Sequence, residues 1–168
     1  LAGMEHGVVH PNKYYFDTPF YIGSRENFTR KASYVNMGTI NELTALERSS
    51  NVYMFNIALD IAKANYRPYN PLFIDPNAYD VFRKSFAQFG LGVETGIDLP
   101  RESTGVIGTD RSLPGKYLDL SIGQYDNYTT LQLAQYVSTI ANGGYRMKPQ
   151  LVREIREPSQ EEGLGAVA

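Results

Sequence analysis

Ser49, Ser50 and Asn51 are three adjacent side chains whose functional groups suit the handling of an acyl compound. A hydroxyl relays a proton, and a carboxamide grips a carbonyl or an N–H. In a Ser-x-Asn arrangement at a loop-to-helix junction, Ser49 and Asn51 can face one cleft. Helices also choose Ser and Asn at their N-termini for capping alone, and in 168 residues chance by itself supplies such a triplet. Taken alone, the triplet is first a cap. His6 and His10 lie four apart, the spacing that puts two ligands on one helix face. Gly7 and Pro11 argue against a helix there and no further ligands cluster nearby, so the expectation is two loop histidines and no metal. Cysteine is absent, which excludes thiolate sites and cysteine nucleophiles. The chain carries no Gly-x-Ser-x-Gly elbow, phosphate-binding loop or dinucleotide fingerprint. No cofactor is expected.

The elements that must hold Ser49 and Asn51 can be read from period and punctuation. Tyr14–Ile22, rich in aromatics and broken by Pro19, reads as an extended or hairpin-like segment. Thr39 followed by Glu42 offers a capping box, with a short helix over Asn41–Glu47. Val52, Phe55, Leu59 and Ala62 place an amphipathic helix over 51–64, with Ser49 or Ser50 as its N-cap. Asp75-Pro76 announces a third helix through Tyr79, Phe82 and Phe86, closed at Gly90. Residues 91–123 read as irregular, with repeated glycines. Thr129 and Gln132 form a second capping box, opening a helix whose Leu133, Ala134, Val137 and Ile140 form an apolar stripe before Asn142-Gly143-Gly144. Residues 149–155 suggest a strand. The expected fold is therefore mainly α with long loops and a small hairpin.

The 168 residues fit one domain. With 42% hydrophobic and 20% charged residues the chain is too apolar for a disordered tail, and a net charge of −2 argues against a nucleic-acid binder. Residues 157–168 read as a solvated tail. No apolar run is long enough to span a bilayer, and the start at Leu1 suggests a piece of a larger protein.

The surroundings of Ser49–Asn51 change its weight. Residues 45–55, Ala-Leu-Glu-Arg-Ser-Ser-Asn-Val-Tyr-Met-Phe, resemble the second motif region of penicillin-binding protein transpeptidases. Residues 89–105 resemble the family's Phe-Gly-x-Gly…Thr-Gly-Ile-Asp-Leu-Pro-x-Glu…Gly block. Leu120-Ser-Ile-Gly-Gln124, Leu131-Gln-Leu-Ala134 and Ile140-Ala-Asn-Gly-Gly144 resemble the helix that follows and its entry. The blocks keep the family's order from Gly38 to about Val152, and the resemblance is closest to the monofunctional, class B enzymes. Tyr125 where Gly is common, and Thr130 where Pro is common, depart from the pattern at a loop and a helix start.

This family's signature comprises Ser-x-x-Lys, Ser-x-Asn and Lys-Thr-Gly. Of these the chain holds only Ser-x-Asn. None of Lys13, Lys31, Lys63, Lys84, Lys116 or Lys148 has Ser three residues before it or is followed by Ser-Gly or Thr-Gly. The resemblance thus implies residues 1–156 as a partial transpeptidase domain, the helical lobe of the penicillin-binding-protein/serine β-lactamase-like fold lacking its central sheet. It implies that Ser49 relays a proton between the motif lysine and the leaving amine, and that Asn51 hydrogen-bonds the acyl-side amide of a stem peptide or a β-lactam. It places the intact enzyme at the extracytoplasmic face of a bacterial membrane, with peptidoglycan stem peptides and β-lactams as ligands and the cell-wall elongation machinery as partner. The isolated chain is expected to be inactive and prone to homo-oligomers or strand exchange through a face the sheet would cover. A β-lactam-hydrolysing or β-lactam-sensing relative, and a non-catalytic helical interaction module, are the competing readings.

Overall fold

The computed structural model describes residues 1–160 and 163–168. Its centre is a helix carrying Ser-x-Asn at its start. In chain order the elements are α1 (Ala2–Glu5), β1 (Tyr15–Asp17), β2 (Phe20–Gly23), β3 (Phe28–Lys31), β4 (Gly38–Ile40), α2 (Glu42–Glu47), α3 (Asn51–Ala62), α4 (Ala78–Gln88), α5 (Pro114–Ser121) and α6 (Thr130–Ala141). Helix α3 packs against α5, β1, α1 and α2. Its Val52, Phe55, Ala58 and Leu59 enter one core with Phe20, Ile22, Tyr79, Phe82, Tyr117 and Leu118. The phenol of buried Tyr117 donates to Ala58 O at 3.1 Å, so this ring enters the core without an unsatisfied hydroxyl.

The extended segment after α1 makes two small antiparallel sheets rather than one hairpin. Strand β1 pairs with β4, with Phe16 opposite Thr39, and β2 forms a hairpin with β3, with Tyr21 opposite Arg30. The β1–β4 pairing explains why the expected Thr39–Glu42 capping box does not form. Thr39 is held in a strand, the chain turns one residue later than expected, and Asn41 caps α2 by accepting from Thr44 N–H at 3.1 Å. Helix α3 ends at Ala62, two residues early, because Lys63 takes a left-handed conformation (φ 52°). Helix α4 starts at Ala78, after a turn in which the Asp75 carboxylate accepts from Asn77 N–H at 2.9 Å.

Residues 91–123 are not wholly irregular. Pro114 stands at the first turn of α5, which buries Tyr117, Leu118 and Leu120. The loop before α5 is tied down by charge: Arg83 binds both oxygens of Asp126, at 2.9 and 2.8 Å, and also Gly108 O at 2.7 Å. Tyr125, the departure from the family pattern, lays its ring on Gly108, where a Cβ would come within 2.4 Å of it.

Helix α6 opens with the expected capping box of Thr129 and Gln132, and the face it buries is not its apolar stripe. Gln132, Gln135 and Thr139 point inward, while Leu133, Val137 and Ile140 are 46%, 59% and 47% exposed. The buried amides donate to loop carbonyls: Gln132 Nε2 to Val93 O at 2.7 Å, and Gln135 Nε2 to Thr95 O and Met147 O at 3.2 and 2.9 Å, while Gln135 Oε1 is buried without a partner among the described residues. Periodicity locates an apolar face but not its neighbour, and here no described element covers it. Residues 149–155 are not a strand, and their side chains are mostly exposed. The tail, of which Glu161 and Glu162 lie outside the described residues, turns back so that Arg156 pairs with Val167. No described helix is long and apolar enough to cross a membrane.

Candidate functional site

Two helix ends meet at Ser49 and Ser50. Ser50 N–H donates to Ala45 O at 2.8 Å and Ser49 N–H to Leu46 O at 3.3 Å, the paired bonds of a Schellman closure of α2. Such a closure needs a left-handed residue, usually glycine, and Ser49 fills the place with φ 56°. Ser50 then caps α3, its Oγ accepting from Tyr53 N–H at 3.0 Å. The capping reading of the triplet is therefore met by Ser50 alone. Ser49 stays exposed, and Asn51, half-buried in the first turn, donates its amide to Ala32 O at 3.3 Å.

Ser49 and Asn51 open on one cleft of about 170 Å³, whose other walls are Ala45, Leu46, Ser50, Met54 and Ile122. Leu46 and Met54 also line an adjoining groove of about 270 Å³, which runs past Gly3 and Phe86 to Tyr136. The junction thus presents a hydroxyl and a carboxamide beside an apolar trough. That pair can pass a proton and orient an amide.

Beneath the junction lies a group that the motif reading missed. Asp17 is 1% exposed, and its Oδ2 accepts from Ser50 Oγ at 2.5 Å and Ser33 Oγ at 2.7 Å. The two serine oxygens are 3.3 Å apart, and Ser33 Oγ accepts from Val52 N–H at 3.1 Å. Asp17 and Ser33 precede Ser50 by 33 and 17 residues, so no local pattern marks them. Ordinary preferences point the other way: in β1 Phe16 faces solvent and Asp17 faces inward.

The other carboxylates of the aligned blocks shape loops. Glu102 accepts from Thr95 N–H at 2.6 Å and Gly96 N–H at 3.0 Å, closing the turn at Gly96 (φ 80°). Asp98 accepts from Leu151 N–H at 2.8 Å and Val152 N–H at 2.9 Å, fixing the chain beyond α6. Both are held below the ordinary carboxylate range by these contacts. For Glu102 the Thr95 side chain contributes most, and for Asp98 the Leu151 N–H. His6 follows α1 and His10 sits on a turn with Nδ1 3.1 Å from Pro11 O. Among the described residues no three His, Cys, Asp or Glu side chains group as a metal site.

Comparison with known proteins agrees with this architecture. Residues 1–165 match the transpeptidase family described as "Penicillin binding protein transpeptidase domain". Penicillin-binding protein 2A of Bacillus subtilis (strain 168) is 54% identical over 167 residues, which cover 99% of this chain and 23% of that protein. The solved structure of penicillin-binding protein 2B from Streptococcus pneumoniae (strain 5204) superposes with a TM-score of 0.85 at 37% identity, over 99% of this chain and 28% of that one. The chain thus spans about a quarter of the length of these relatives. With the fold, the motif order and the family match in agreement, the chain belongs to the transpeptidase domain family of the class B penicillin-binding proteins.

Proposed function

We propose that residues 1–156 form the helical wall of the active-site cleft in a peptidoglycan D,D-transpeptidase, with 157–168 as a tail. In the complete enzyme a serine hydroxyl attacks the D-Ala-D-Ala carbonyl of a stem peptide, terminal D-Ala leaves, and an amine of a neighbouring stem peptide resolves the acyl-serine. Ser49 passes a proton between the motif lysine and the leaving amine. Asn51 orients the acyl-side amide of the donor peptide or of a β-lactam. The chain supplies neither Ser-x-x-Lys nor Lys-Thr-Gly, so on its own it has no nucleophile for these groups to assist and is inactive.

The observation that carries this reading is the division of labour at the junction. Ser50 meets the structural demand of the helix start, while Ser49 keeps an exposed hydroxyl at a left-handed position where glycine is the easier residue. Strain retained at a polar side chain on a cleft points toward function rather than toward stability. The complete enzyme works outside the cytoplasm at the bacterial membrane, with stem peptides and β-lactams as ligands and elongation proteins as partners. The test is the acylation rate of the full-length enzyme with a fluorescent penicillin. Loss of the relay or of the amide contact slows it by about 100-fold or more in Ser49→Ala and in Asn51→Ala. Labelling of both variants at the unsubstituted rate would contradict the assignment.

A further inference from the structure

We infer that Asp17 is a positioning residue for the Ser-x-Asn motif: its buried carboxylate fixes the hydroxyls of Ser50 and Ser33 as acceptors and so locks Ser49 and Asn51 in place. The inference rests on the role given to those two residues above.

A serine hydroxyl has one proton and two lone pairs, and a carboxylate only accepts. Ser50 Oγ and Ser33 Oγ each donate their single proton to Asp17 Oδ2, at 2.5 and 2.7 Å. With those protons committed, their lone pairs face the N–H groups of Tyr53 and Val52, at 3.0 and 3.1 Å. The network therefore runs in one direction, from two first-turn amides of α3 through two hydroxyls to one carboxylate. The positive end of the helix and the negative charge of Asp17 compensate each other across it. The short contacts to Asp17 favour this arrangement over one in which either hydroxyl donates to the other across their 3.3 Å separation.

The network grips the motif on both sides. Ser50 stands between Ser49 and Asn51, so fixing its hydroxyl fixes the peptide units that aim both neighbours. Ser33 follows Ala32, whose carbonyl receives the Asn51 amide at 3.3 Å. One carboxylate on β1 therefore holds Ser33, the neighbour of the residue that binds Asn51, and Ser50, the neighbour of both Ser49 and Asn51. Asp17 is 1% exposed and does not line the cleft, so its effect is transmitted through position alone.

The full-length enzyme carrying this segment supplies the test, with acylation by a fluorescent penicillin resolved into the noncovalent binding constant and the first-order acylation step. Asp17→Leu removes the acceptor and slows the acylation step by on the order of 10- to 100-fold, the effect of a displacement near an ångström at reacting groups. Asp17→Asn keeps one oxygen that accepts both hydroxyls and restores the step to within about threefold, because the direction of the network survives. Ser33→Ala removes one arm of the network, from Val52 N–H to Asp17, leaves Ser50 on Asp17, and slows the same step several-fold in an enzyme that stays folded, so the inference is decided even where Asp17→Leu fails to fold. Equal acylation steps in Ser33→Ala, Asp17→Asn and the unsubstituted enzyme, with any Asp17→Leu defect confined to the amount of folded protein, would overturn it. Ser49→Ala is the control: full acylation in that variant overturns both readings together, whereas loss in Ser49→Ala with full acylation in folded Asp17→Leu overturns only the role of Asp17.

Discussion

Ser49 and Ser50 are consecutive hydroxyls with opposite duties: Ser50 Oγ is buried as the cap of α3, and Ser49 stands exposed at φ 56° as the left-handed residue that closes α2. Their energetic signatures must therefore differ. Ser50→Ala removes a cap and one of two hydroxyl partners of buried Asp17, and costs about 2–3 kcal/mol. Ser49→Gly relieves the left-handed strain and gains up to about 1 kcal/mol. Denaturant unfolding of the two variants checks the pair, and a larger loss from Ser49→Gly than from Ser50→Ala would refute the assignment of roles.

Arg83 and Asp126 tie the long loop to α4 where the Asp126 side chain is fully buried and that of Arg83 nearly so. Arg83→Leu leaves an unpaired buried carboxylate and costs about 3–5 kcal/mol. Replacing both partners by apolar residues recovers part of that loss. A double-mutant cycle measures the recovery; simple addition of the two single losses would count against a coupled pair.

Asp98 and Glu102 make the lobe sensitive to acid, and the sign follows from their partners. Both carboxylates are lowered in the folded chain, so they bind protons more weakly there than in the unfolded chain. Their contribution is complete above the unfolded values of about 3.9 and 4.3, and is lost as pH falls through the folded ones. Urea midpoints should hold steady from about pH 7 to pH 5 and decline below pH 4, and Glu102→Gln should flatten that decline. A midpoint that rises on acidification would show that these contacts do not favour the charged forms.

Helix α6 separates what periodicity can report from what it cannot. Its start was legible because Thr129 and Gln132 are three residues apart and their bonds are local. Its orientation was not: Leu133, Val137 and Ile140 mark an apolar face, yet the glutamine face packs inward because the carbonyls of Val93, Thr95 and Met147 need donors. The same contrast runs through the rest of the chain. Helix α3 was readable from Val52, Phe55 and Leu59, whereas α5 was hidden among glycines. The Thr39 cap yielded to a strand pairing with β1, a partner distant in sequence. At the site, Ser49 and Asn51 were legible as a motif. Asp17 and Ser33 were not, since only the fold brings them beneath it.

The exposed stripe on α6 has a solution consequence. Leu133→Ser with Val137→Ser removes apolar surface without opening a cavity, so it lowers self-association of the 168-residue chain with little change in stability. Light scattering across concentration checks this; unchanged oligomers in the double variant would move the sticky surface elsewhere.

The role of the Ser49–Asn51 wall is tested by placing residues 1–156 into penicillin-binding protein 2A of Bacillus subtilis in place of its matching segment, and comparing that chimaera with the 168-residue chain by fluorescent-penicillin gel labelling. A covalent adduct is expected on the chimaera, with its loss in the Ser49→Ala chimaera and no adduct on the chain alone. A stable adduct on the 168-residue chain, or a folded chimaera that takes no label, would contradict that role.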